Sequence, residues 1–183
     1  MPRLILLNGP PGCGKSTVAQ LFVADHPLAL SLDIDRVRGL LGRWREQATR
    51  AGVLARAMSL AMAHTHLSAG YDVVVPQYLG DIAFIQQVER TARQVGAAFH
   101  ELVLLDSKDN SVRRFLTRSA ATGLPAHQEA QEMLDRAGGL PVLETMYDRL
   151  MDVIAARPDT HVIATEDGHI SQTYRAVLLH LST

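Results

Sequence analysis

One stretch constrains this chain more than any other. Residues 9–16 read Gly-Pro-Pro-Gly-Cys-Gly-Lys-Ser, directly after the apolar run Leu4 to Leu7. The pattern Gly-x-x-x-x-Gly-Lys-[Ser/Thr] is met by Gly9, Gly14, Lys15 and Ser16. Glycines let the backbone wrap tightly and aim its N–H groups inward. A helix that starts at the end of the loop adds its positive pole, so the loop is a ready anion site. Lys15 can reach the β- and γ-phosphates of a nucleotide, and the Ser16 hydroxyl can ligate magnesium. Pro10, Pro11, Gly12, Cys13 and Thr17 complete the loop; Cys13 reads as a small filler rather than a reactive thiol. Such a loop needs a strand before it and a helix after it. Both are predicted: Leu4 to Leu7 as a buried strand, then Val18, Leu21 and Phe22 at helical spacing until His26-Pro27 ends the helix.

The remainder alternates in the same way. Strands are expected at Leu28 to Leu32, Tyr71 to Val75, Phe99 to Leu105 and Thr160 to Ala164. Residues 36–69 read as two helices broken near Ala48 to Gly52, and Asp81 to Val95 as a helix with Asp81 as N-cap. Further helices are expected over about 109–120, 128–137 and 142–156, and from Ser171 to Leu181. Alternation of this kind predicts an α/β chain: a five-stranded parallel sheet with helices on both faces, in three layers, forming one domain over 1–183. Ligands then belong outside the carboxyl ends of the strands. Net charge is −1, which gives no global case for binding nucleic acid or an anionic membrane. The single cysteine forms no internal disulfide and fits a cytoplasmic home. The apolar run at the N-terminus is too short for a signal peptide or a membrane span.

Asp33 and Asp35 fall at the predicted carboxyl end of the second strand, where an extended backbone points both the same way. Phosphoryl transfer to a hydroxyl needs one carboxylate to take the proton and a second near magnesium. Asp35 suits the first role and Asp33 the second; the competing reading is a helix N-cap with an acidic first turn. Arg38 lies one helical turn after Asp35 and can hold it, or hold an anionic group of the acceptor.

The combination G-P-P-G-C-G-K-S-T with D-I-D-R-V-R resembles the small P-loop kinases. That group includes shikimate and gluconate kinases, polynucleotide 5′-kinases, zeta-type toxins and antibiotic phosphotransferases. The resemblance implies a P-loop NTPase fold with a small helical acceptor region at about 36–70, ATP and Mg2+ as cofactors, and Asp35 and Arg38 as general base and acceptor-side support. It extends to Arg114 and Arg118, four apart after the fourth strand, as in adenylate kinase and its relatives. There the first Arg stacks on adenine, with Arg113 as the alternative register. The second comes from a short lid, here about 118–128, and neutralises the transferring phosphoryl group. Guanidinium planes suit both tasks.

Several features depart from that pattern or stay open. Strand three ends in Pro76-Gln77, where many ATPases of this kind carry an acid, so Asp33 acting through water is the remaining candidate near magnesium. Gln77 reads equally as an acceptor ligand and as a plain loop residue. Arg43, Arg45 and Arg50 surround the only tryptophan, Trp44. They suit an anionic acceptor or a nucleic acid stacking on the indole, or else a solvated basic face. His64 and His66 lack metal-ligand spacing. Residues Thr165 to Gly168 follow strand five, where related kinases wrap adenine. The expected activity is transfer of the γ-phosphoryl group of ATP to a hydroxyl of a small molecule. The alternatives are a polynucleotide 5′-hydroxyl kinase, an antibiotic phosphotransferase, or a nucleotide switch without a phosphorylated acceptor. No guanine-reading Asn-Lys-x-Asp is present, and Asp135-x-x-Gly138 falls in a helical pattern.

Overall fold

The computed structural model describes residues 1–121, 134 and 138–182, without the side chains of 118–121. Five strands form one sheet: β1 (Arg3–Asn8), β2 (Leu30–Ser31), β3 (Val73–Pro76), β4 (Ala98–Leu105) and β5 (His161–Ala164). Their order is β2-β3-β1-β4-β5, and every pairing is parallel. The helices are α1 (Lys15–Asp25), α2 (Ile34–Gly39), α3 (Ala48–Ser68), α4 (Ile82–Gln94), α5 (Lys108–Ala121), α6 (Leu140–Ala156) and α7 (Ile170–Leu181).

Strand alternation explains the three layers. Leu4 and Leu6 pack with Val73 and Val75 against α2, α3 and α4; Ile5 and Leu7 pack with Val74, Leu102 and Leu104 against α1 and α7. These four β1 side chains, Leu4 to Leu7, are fully buried, each contributing roughly 1.5–3 kcal/mol of hydrophobic stabilisation. A third, smaller cluster joins Phe115 of α5 to Leu134 and to Leu143 of α6. No helix among the described residues is long and apolar enough to cross a membrane.

Three local expectations need correction. The second strand is only Leu30–Ser31, because Leu28 adopts a left-handed φ of 63° and holds the chain in a turn. Asp33, though its own backbone is extended, lies beyond β2 and caps α2, accepting from the N–H groups of Asp35 and Arg36, while Asp35 already belongs to the helix. The break between the acceptor-side helices lies between Gly39 and Ala48, not at 48–52. Arg43, at φ 51°, and a 3-10 turn over Trp44–Gln47 fill it, and Gly52 sits inside α3. Asp81 does cap α4, accepting from Ala83 N–H at 3.0 Å. Of the expected lid at 118–128, residues 118–121 belong to the backbone of α5 and the rest lie outside the described residues, as do the helix expected at 128–137 apart from Leu134, the Asp135 that begins Asp135-x-x-Gly138, and the Arg118 side chain.

Candidate active site

The phosphate loop joins β1 to α1 through three glycines with positive φ: Gly9 at 145°, Gly12 at 88° and Gly14 at 95°. At Gly9 a Cβ would lie 2.4 Å from the Leu104 carbonyl oxygen, so no other residue fits without moving the backbone. Cys13 is buried against this turn, the filler its position implied. Gly14 caps α1 without a side chain, whereas Asp33 and Asp81 cap α2 and α4 with carboxylates. The first-turn N–H groups of α1 are thus left for a ligand, and its first turn carries no acid to repel an anion. Lys15 folds over the loop, its Nζ donating to the carbonyls of Gly9 at 2.9 Å and Pro10 at 2.8 Å. Asn8, fully buried, anchors the loop from below. Its Oδ1 accepts from Gly9 N–H and Leu79 N–H, and its Nδ2 donates to the Leu79 carbonyl.

A cavity of about 380 Å³ opens beside this loop and brings the predicted residues together. Its walls include Pro11, Gly12, Gly14, Lys15, Ser16 and Thr17, then Asp33, Asp35 and Arg38, then Gln77. Arg38 pairs with Asp35 Oδ1 at 3.0 Å, and Gln77 Nε2 donates to Asp35 Oδ2 at 3.0 Å. Both carboxylate oxygens of Asp35 are therefore held in place. Gln77 Oε1 is buried without a hydrogen-bond partner, a position that favours a donor from a ligand. Arg38 also lies over Trp44, with its guanidinium carbon 4.5 Å from the ring centroid. Arg45 lies at 4.6 Å and Trp44 is 8% exposed, so the indole is not a platform for a base. Arg43 pairs with Glu46, and Arg50 is exposed.

Burial pushes the Asp33 carboxyl above its ordinary range; the Arg36 N–H bond opposes this, and the charge of Asp35 adds to it. Asp33 and the exposed Ser16 line the same cavity, and their oxygens are of the kind that would hold a magnesium ion there. Among the described residues no group of three or more His, Cys, Asp or Glu forms a metal site of its own. Magnesium here would depend on the phosphates for its remaining ligands.

Arg114 sits on the other side of the loop. It pairs with Asp106 at the end of β4 and donates to Thr165 Oγ1 at 3.2 Å, just beyond β5. Arg114 thus joins Thr165 of the expected adenine loop, while Arg113 turns outward to Asn110. Two contributions were not evident from the sequence. Asn8 carried no motif, although a polar residue ending an apolar strand was a usable signal. The apolar lining of the same cavity, from Tyr78, Val142, Leu143 and Met146, carried no motif either.

Residues 4–138 match the family described as AAA domain, and the chain belongs to that family. Its fold is that of the P-loop NTPase kinases. A gluconokinase from Sinorhizobium meliloti aligns at TM-score 0.62 and 16% identity, over 98% of this chain and 93% of its own. The Mycobacterium tuberculosis APS kinase in complex with AMPPNP and APS aligns at 0.64 and 18%, over 100% and 98%. The tunicamycin resistance protein of Deinococcus radiodurans aligns at 0.61 and 17%, over 99% and 96%. At these identities the likeness is one of fold. No curated protein matches the sequence.

Proposed function

We propose that this protein is an ATP- and Mg2+-dependent phosphotransferase that moves the γ-phosphoryl group to a hydroxyl of a small molecule. One observation carries the reading: Asp35, held by Arg38 and Gln77, faces the same cavity as Lys15 and Ser16. A carboxylate fixed opposite a phosphate loop is what a transfer to an alcohol requires.

The loop N–H groups and Lys15 hold the phosphates, Lys15 exchanging the Gly9 and Pro10 carbonyls for phosphate oxygens. Ser16 and Asp33 would hold Mg2+, which would supply neutralising charge for the phosphates. Asp35 orients the acceptor hydroxyl and takes its proton. Arg114 and Thr165 border the adenine site, and Arg118 closes over the transferring group from the lid. The single cysteine fits a cytoplasmic setting.

The test is transfer from γ-labelled ATP to a panel of alcohols, nucleosides and 5′-hydroxyl oligonucleotides, with Asp35→Asn alongside. Loss of general-base catalysis lowers kcat by about 10²–10⁴-fold. ATP hydrolysis without a labelled product, unchanged in Asp35→Asn, would instead identify a nucleotide switch.

A further inference from the structure

The two walls of the cavity differ in chemistry. The wall carrying Asp33, Asp35, Arg38 and Gln77 is polar. Tyr78 and the α6 residues Val142, Leu143 and Met146 line the same cavity with an apolar surface continuous with the cluster around Phe115. The Tyr78 hydroxyl already donates to the Met146 carbonyl at 3.0 Å, so the ring is what that residue adds to the wall.

Charge narrows the choice further. Among the described residues, the cations lining the cavity are Lys15 and Arg38. Lys15 belongs to the phosphate loop, and Arg38 is engaged with Asp35 and stacked on Trp44. A carboxylate or phosphate on the acceptor would be desolvated beside two acids, with both cations among the described residues of the cavity already engaged. A polyol would turn its hydroxyls toward methyl and thioether groups that offer no partner. An aliphatic or aromatic body would instead remove the apolar wall from water.

Building on the phosphotransferase reading, we infer that the acceptor is an alcohol without negative charge, whose body is aliphatic or aromatic and packs against Tyr78, Val142 and Met146. The transfer balances without a further reactant. The acceptor oxygen bonds to the γ-phosphorus, the bridging bond to ADP breaks, and the hydroxyl proton passes to Asp35.

The test measures phosphorylation of phenylbutanol and cyclohexylpropanol against gluconate, adenosine, kanamycin and a 5′-hydroxyl oligonucleotide. Titration calorimetry of the same compounds into enzyme saturated with AMPPNP and Mg2+ runs alongside. Expected is kcat/KM for the apolar alcohols at least about tenfold above every comparator, a preference of the size that apolar burial supplies. Their binding should show a negative heat-capacity change, the mark of buried apolar surface. Met146→Gln should raise KM for these alcohols about tenfold with kcat and KM for ATP unchanged, and Met146→Leu should restore it. Better use of gluconate, adenosine, kanamycin or the oligonucleotide overturns the inference while the phosphotransferase reading stands. Apolar alcohols that bind with this signature, in an enzyme that phosphorylates nothing, would sink the phosphotransferase reading and support the cavity's selectivity. No calorimetric binding of either apolar alcohol overturns the inference outright.

Discussion

Gln77 stands where an acid is common in such folds, and its amide instead holds Asp35 from the side opposite Arg38. On the proposed function Gln77 positions Asp35, so Gln77→Ala should lower kcat about tenfold, the worth of one well-aligned hydrogen bond, with KM for ATP unchanged. Steady-state kinetics with ATP and acceptor varied separately check this. Arg114, which the proposed function sets beside the nucleotide, is also tied to stability, because Asp106 beside it is largely buried. Arg114→Ala should cost about 3 kcal/mol by stranding that carboxylate and should also weaken nucleotide binding. Denaturant midpoints and nucleotide titrations read the two effects apart. Of the residues at this site, Lys15, Ser16 and Asp35 were legible in the sequence because their spacing is local. Asn8 was not: its partner Leu79 lies 71 positions away, and only the parallel pairing of β1 with β3 brings them together.

At the scale of elements, the strands and most helices follow from breaker residues and periodicity, and their bounds shift by a residue or two. Expectation failed where a single backbone dihedral decides. Left-handed Leu28 shortens β2, and left-handed Arg43 moves the acceptor-side break before α3. The β4–β5–α7 edge carries another feature that pattern does not reveal: His161 stacks on His180 at 4.2 Å, and His100 meets His180 edge-on at 5.8 Å. Burial, together with a neighbouring histidine, holds His100 and His180 below the ordinary value of 6.5. In the unfolded chain they bind protons first, so stability is full above about pH 6.5 and falls as the pH drops toward their folded values. Melting temperature should therefore decline between pH 7 and 5.5. His180→Gln, which removes the central ring, should flatten that decline.

For the molecule as a whole, a nucleotide that binds only the folded chain must stabilise it. At a hundredfold excess over Kd the gain is about 2.7 kcal/mol, which for this length corresponds to roughly 5–10 °C in Tm. AMPPNP with Mg2+ should produce that shift in a thermal melt, and Lys15→Ala should abolish most of it. Another whole-molecule consequence follows from the stack of Arg38, Trp44 and Arg45. The protein has one indole, and one of its two covering guanidiniums forms part of the cavity wall. Whatever draws Arg38 toward a ligand changes the electric field across that ring. The chain thus has an optical reporter of this cavity, and tryptophan emission should change when a ligand there displaces Arg38, without any added label.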